Sequence, residues 1–370
     1  MAASSPTDIP RWVDYLVVPL VNLVVALLLT GVVVIAVGAN PLDALQSLAF
    51  GAVGYPEAIG FTLYYATNFI FTGLSVAVAF HAGLFNIGGE GQAYVGGLGV
   101  ALVCLGLGSW PLVIVFPIAV AAAAIFGAAW AFIPAYLQAK RGSHIVITTI
   151  MFNFIAAALM TYIVVHVLIA PGQQAPRSSD FAPGVRLPMA KDVMAAFGID
   201  IGEPPLNLSS LLAIVACVFV WLFIWHTRWG YEIRTVGHSE RAARYAGISR
   251  TRAIILAMLV SGALSGLVAV NDIMGVHHYL PVGWTGGVGF VGIAVALMGR
   301  NHPVGIAMAA LLFGALYQGG SEIAFDIPQI TKEMVVVIQG LVILFCGALE
   351  NMFKPQIAVL FRRRAIAAAA

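Results

Sequence analysis

Residues 16–37 read LVVPLVNLVVALLLTGVVVIAV, a run without a charged side chain. A helix of about 20 apolar residues crosses the hydrocarbon core of a bilayer, whereas a secretory signal core is about 7–15 residues long. The run therefore reads as a first membrane span, preceded by Arg11 and Asp14. Outward from it the pattern recurs. The 370 residues are 61% hydrophobic and 9% charged, where soluble domains carry roughly a quarter charged residues. Eighteen Lys+Arg and 16 Asp+Glu are too few to coat a water-facing surface of this size. The same figures exclude a disordered chain. Cys104, Cys217 and Cys346 each lie in apolar stretches and read as small buried hydrophobes.

The apolar runs are continuous and do not alternate with a period of two, which excludes membrane strands. The expected fold is an all-α, polytopic membrane protein whose residues 1–370 form one transmembrane domain. About ten spans are expected, at 16–38, 60–82, 90–109, 111–137, 145–169, 208–226, 253–272, 284–299, 303–320 and 334–350. The stretch 39–59, with Pro41, Asp43 and Glu57, reads as an interfacial helix.

Short loops rich in Lys and Arg stay in the cytoplasm. Lys140 and Arg141 mark one such loop. Arg228, Arg234, Arg241, Arg244, Arg250 and Arg252 crowd the loop 227–252, and Lys354 with Arg362, Arg363 and Arg364 marks the tail 351–370. Two and then four spans separate these three segments, so all fall on one side, and the four spans before Lys140 put the amino end there too. Both termini are expected inside. The loop 170–207 then faces out, and its Pro171, Pro176, Pro183, Pro188, Pro204 and Pro205 argue for an irregular cap.

Two stretches echo one another. Gly83 to Pro111 and Gly275 to Pro303 each run through a glycine-rich break into a small-residue helix and end on a proline. By the span count the first leaves the cytoplasm and the second enters it. An inverted pseudo-repeat of this kind frames the substrate site of many alternating-access transporters. The competing account is the small-residue packing common to all membrane helices.

Known chemical motifs are sparse. There is no G-x-x-x-x-G-K-[ST] phosphate cradle, no H-E-x-x-H and no G-x-S-x-G, so the chain is not expected to be an enzyme or to hydrolyse ATP. His277 and His278 are adjacent and cannot chelate one metal from a helix face.

The most informative segment is Gly83-Leu84-Phe85-Asn86-Ile87-Gly88-Gly89-Glu90-Gly91-Gln92. Its glycines break a helix at membrane depth, and irregular backbone is tolerated there only when buried in protein or lining a cavity. A carboxylate at that depth costs about 2.5–3.5 kcal/mol on insertion scales and turns toward protein or water. Glu90 opens the next helix, whose dipole favours its charge. Two readings follow. In one, Asn86, Glu90 and Gln92 line a substrate pathway with Phe85 or Tyr94 able to stack; in the other, the segment is a packed glycine crossing. Asn271 and Trp284 join the pathway candidates by residue type, while Asp272 beside Asn271 reads equally well as a cap.

The cytoplasmic loop holds Glu240-Arg241-Ala242-Ala243-Arg244-Tyr245-Ala246-Gly247. A short helix with small residues and arginines suits docking on a partner; a solvated basic loop is the plainer account.

With these residues in view, the chain resembles the membrane permeases of bacterial ABC importers, in the branch for simple sugars, nucleosides and branched-chain amino acids. Ala242, Ala243 and Gly247 match the coupling pattern E-A-A-x-x-x-G; Arg241 stands at the Glu position and Glu240 is displaced by one. Gly289 to Gly299, followed by Pro303, is similar to a second signature, and Phe85 to Gln92 resembles the F-N-I-G-x-E-G-Q pattern of the nucleoside subgroup. The resemblance spans about residues 15 to 350. It implies a permease in a bacterial inner membrane, worked by a separate ATPase that holds ATP and magnesium. It also implies an extracytoplasmic substrate-binding lipoprotein and a second permease as heterodimer partner, with lipid around the spans. No cofactor is expected on this chain, and no nucleic acid. The expected cargo is a nucleoside, with a sugar or a branched-chain amino acid as the alternative. A rival of another class is an ion- or proton-coupled secondary transporter using Glu90, Asp272 and Glu322 as coupling carboxylates.

Overall fold

The computed structural model describes residues 17–170 and 172–344. In chain order the helices are α1 (Val18–Ala36), α2 (Pro41–Val53), α3 (Pro56–His81), α4 (Gly89–Gly106), α5 (Leu112–Tyr136), α6 (Ile145–His166) and α7 (Ala190–Ala195). They continue with α8 (Ser209–His226), α9 (Arg228–His238), α10 (Glu240–Tyr245), α11 (Arg250–Gly266), α12 (Val288–Met298), α13 (Pro303–Asp326) and α14 (Lys332–Ile343). A π-helical turn, Leu137–Arg141, prolongs α5, and another, Val270–His277, follows α11.

Six helices among the described residues are long and apolar enough to cross a membrane: Pro56–His81, Leu112–Arg141, Ile145–His166, Ser209–His226, Arg250–His277 and Pro303–Asp326. Six of the ten expected spans thus meet that length and composition. Val24–Ala36 is apolar but shorter. α4 covers the expected span 90–109, yet it opens on Gly89-Glu90-Gly91-Gln92 and so falls short in apolar content. The expected span 284–299 condenses to the 11 residues of α12, because Gly286 and Gly287 take left-handed backbone ahead of it. The stretch 39–59 does contain a helix, α2. Cys346, the tail 351–370 and the end of the last expected span lie outside the described residues.

The chain divides into two compact units, 53–315 and the remainder at both ends. In the terminal unit Val34 of α1 and Ala44 of α2 share a core with Ile323, Ile330, Val335 and Ile338. A Cβ on Gly319 would stand 2.3 Å from the Leu48 carbonyl oxygen, so those backbones touch.

In the larger unit 72% of the apolar window is buried in α3 and in the α11 segment, against 22% in α5 and α6. The difference follows from composition. α11 carries Gly262 and Gly266, and a Cβ on either would meet backbone of α5 within 2.5 Å. Small residues one turn apart let membrane helices close to backbone contact. α4 joins the same sandwich, with Gly96 against Gly266 and Gly99 against the Ala122 carbonyl. The two echoing stretches, Gly83 to Pro111 and Gly275 to Pro303, each hold a break followed by one helix, α4 in the first and α12 in the second.

Residues 172–207 fold as an irregular cap. Arg177 lies 4.1 Å over the Tyr279 ring, and the Phe181 N–H donates to the His278 carbonyl at 2.7 Å. His278 has a left-handed backbone, φ 60°, and its Nδ1 sits 3.2 Å from the Met274 carbonyl. Burial, with Arg186 nearby as a second cause, holds its imidazole below the usual range. The unfolded cap therefore takes up the proton more readily, so stability is lost as pH falls through the ordinary histidine value of about 6.5. Hydrogen exchange across 176–187, corrected for intrinsic rate, should quicken on acidification. His278→Asn tolerates the same backbone and does not titrate, so it should flatten the dependence; an unchanged slope in that variant would refute the assignment.

Candidate functional site

α12 has 11 residues, a rise of about 16 Å and so roughly half the 30 Å hydrocarbon core. Its amino end meets the amino end of α4 at Glu90. The Glu90 carboxylate accepts the Gly287 N–H on Oε1 and the Gly289 N–H on Oε2, both at 2.8 Å. One side chain thus sits in the first turn of its own helix and caps the other. Two positive helix ends face a single carboxylate, with charge-assisted hydrogen bonds to it. The contact is close because no side chain intervenes: a Cβ on Gly289 would stand 2.2 Å from the Glu90 nitrogen.

The break before α4 is built from within. Asn86 is fully buried; its Oδ1 accepts the Gly88 N–H at 2.9 Å and the Gln92 amide at 3.2 Å. Its Nδ2 donates to Gln92 Oε1 at 3.0 Å and to Ser261 Oγ at 2.8 Å. Ser261 passes the chain on to the Ser75 carbonyl at 2.7 Å. Asn86 and Gln92 therefore hold backbone and α11 rather than face open space.

Asn153 of α6 does the same from outside the motif. Its Oδ1 accepts the Gly91 N–H and its Nδ2 donates to the Ile87 carbonyl, each at 2.9 Å. The sequence reading passed over Asn153, although a lone amide in an apolar span was a signal, since a polar group at that depth needs a partner.

The remaining pathway candidates divide. Tyr94 and Trp284 are buried; the Tyr94 hydroxyl accepts the Gly283 N–H at 2.6 Å, and the two rings meet edge-to-face at 6.3 Å. The indole also covers Gly97, where a Cβ would stand 2.9 Å from it, so its ring surface is in use. Asn271 belongs to a separate buried cluster. Its Oδ1 accepts from Asn207 and Ser209, and its Nδ2 donates to Asn68 at 2.8 Å. Asp272 accepts from the Tyr64 hydroxyl and from Asn68. Phe85 and Glu90 remain half-exposed, joined by Phe290, which the sequence reading did not single out and which is 47% exposed.

The coupling candidates form a compact hairpin. Ser239 caps α10 through its Oγ, which accepts the Ala242 N–H at 3.3 Å. Gly247 ends the turn at φ +72°, and the Ile248 N–H returns to the Ala243 carbonyl at 2.9 Å; glycine suits this left-handed C-terminal position. Glu240 pairs with Arg250 and so closes the hairpin on itself. Ala243 is 1% exposed and Tyr245 99% exposed, with Arg241, Ala242 and Arg244 on the exposed side.

Residues 58–347 match the family described as branched-chain amino acid transport system / permease component. The glucose ABC transporter permease protein TsgB13 of Haloferax volcanii is 33% identical over 359 residues, 96% of this chain and 93% of the relative. The guanosine ABC transporter permease protein NupP of Bacillus subtilis is 35% identical over 337 residues, 90% and 94% of the two chains. The nucleoside ABC transporter permease protein NupB of Lactococcus lactis subsp. cremoris is 35% identical over 331 residues, 89% of each. A second Bacillus subtilis guanosine permease protein, NupQ, is 26% identical over 253 residues.

Proposed function

From the premise that this chain belongs to the branched-chain amino acid transport permease family, and is a membrane permease subunit of an ABC importer, we propose that its cargo is a nucleoside. The observation that carries the cargo is the names of two relatives, guanosine and nucleoside permeases, each matched over at least 89% of either chain. Half-exposed Phe85, and half-exposed Phe290 in the first turn that Glu90 caps, suit it as well, since a base offers a face to stack and ribose offers hydroxyls. A glucose permease at 33% identity keeps a sugar as the second reading. Membrane vesicles holding the assembled transporter should accumulate labelled guanosine in competition with other nucleosides. Saturable glucose, ribose or leucine uptake without guanosine uptake would overturn the cargo.

The machine around it follows the family. A separate ATPase holds ATP and magnesium, an extracytoplasmic lipoprotein delivers cargo, and a second permease completes the pore; NupP and NupQ, two guanosine permease proteins of one organism, support that pairing. The assembly sits in a bacterial cell membrane with both termini and the 227–252 loop inside. ATP binding closes the ATPase dimer, the exposed face of α10 receives the motion, and the pore opens outward; hydrolysis reverses it. The coupling works only through contacts that differ between the two states, since a partner binding both equally shifts nothing. Within this scheme Glu90, Asn86, Gln92 and Asn153 are positioning residues: they hold the amino ends of α4 and α12 together so that cargo passes along the Phe85, Glu90 and Phe290 side.

A further inference from the structure

Outside the coupling hairpin itself, a groove of about 560 Å³ opens where the turn after α5, the start of α9 and the start of α11 come together. Pockets of about 300–1,000 Å³ are of ligand-binding size. Lys140 and Arg252 line it, with the hydroxyl-bearing Ser249 and Thr251. Its apolar wall is Leu256 and Leu259, half-buried on the face of α11 that continues into the membrane span. Trp229, 49% exposed, borders it.

The neighbouring arginines are already compensated. Arg228 pairs with Glu232 at 3.0 Å and Arg250 with Glu240. Among the described residues neither Lys140 nor Arg252 has a carboxylate within ion-pair distance. Two uncompensated cations beside hydroxyl donors recognise a phosphodiester. An indole at the rim marks the depth of lipid headgroups, and an aliphatic wall running into the span suits an acyl chain. Basic pockets between membrane helices on the cytoplasmic side bind anionic headgroups in this way.

We propose that this groove binds one anionic phospholipid, its phosphate on Lys140 and Arg252 and an acyl chain along Leu256 and Leu259. Ser249 and Arg252 follow α10 within a few residues, so the lipid ties the root of the coupling hairpin to the membrane surface.

Native mass spectrometry of the full chain, purified in mild detergent and supplied with phosphatidylglycerol or phosphatidylcholine, reads the site. Wild type should retain one phosphatidylglycerol in preference to phosphatidylcholine. Lys140→Gln with Arg252→Gln should lower that retention about thirtyfold, the order expected for two lost cations near a membrane surface. Arg241→Gln with Arg244→Gln, the same charge change outside the groove, should leave it unaltered. Equal retention of the two lipids, unchanged retention in the groove variant, or equal loss in the control variant overturns the proposal. Should the neutral pair fail to fold, quenching in the wild-type chain decides: brominated phosphatidylglycerol should quench the Trp229 emission, taken as the difference from Trp229→Phe, more than brominated phosphatidylcholine. Equal quenching overturns the proposal independently.

Discussion

Gly289→Ala is expected to destabilise the protein by about 3 kcal/mol, combining overpacking of roughly 1–3 kcal/mol with weakened, part-buried hydrogen bonds to the Glu90 carboxylate of roughly 1–2 kcal/mol. The new methyl group would stand 2.2 Å from the Glu90 nitrogen, 2.6 Å from its Cα and 2.7 Å from the Gly89 carbonyl carbon. All three are backbone atoms, so no side chain can turn aside. The amino ends of α4 and α12 must separate, and the Glu90 carboxylate leaves one or both N–H groups it now accepts. Gly287→Ala is the control. Its Cβ would meet nothing within 4 Å, and only the φ of +89° resists a side chain, at about 1–2 kcal/mol. Unfolding of the detergent-solubilised chain by graded denaturant compares the two. A Gly289→Ala protein as stable as Gly287→Ala would show that the two helix ends do not meet as described.

The second large effect is expected at the coupling hairpin. Tyr245→Ala should cut ATP-driven uptake about tenfold while leaving the amount of protein in the membrane unchanged, because a fully exposed aromatic at an interface is a typical anchor and Tyr245 is 99% exposed. Ala243→Arg should abolish uptake by another route. Ala243 is 1% exposed and its carbonyl closes the turn to Ile248, so an arginine there must unfold the hairpin. Normal uptake with Tyr245→Ala would remove the exposed face from the coupling scheme; normal uptake with Ala243→Arg would remove the hairpin altogether.

The class of molecule was legible in the sequence because it rests on composition and run length, both local quantities. The broken element was legible for the same reason: glycines and a carboxylate at membrane depth cannot form an ordinary span. The groups that complete it were not. Glu90 bonds to Gly287 and Gly289, and Asn153 to Ile87 and Gly91, across separations that periodicity does not encode. Residue type did not choose between pathway lining and a packed crossing; Asn86, Gln92 and Asn271 are all buried and bonded within the chain. The expected spans at α4 and α12 were the least legible, since hydropathy does not register the polar opening of the first or the glycine-shortened start of the second. Glu240 gained a definite role only with Arg250 beside it.

The inward-turned amides bear on how selectivity evolves. The amides around Glu90 already satisfy one another and offer cargo little to read, so under the proposed pairing discrimination falls to half-open side chains such as Glu90 and Phe290 and to whatever a second permease sets opposite them. On that proposal, sieving is a property of this chain and its companion together. Exchanging the companion for that of a sugar importer should retune which solute passes without a single change in this polypeptide.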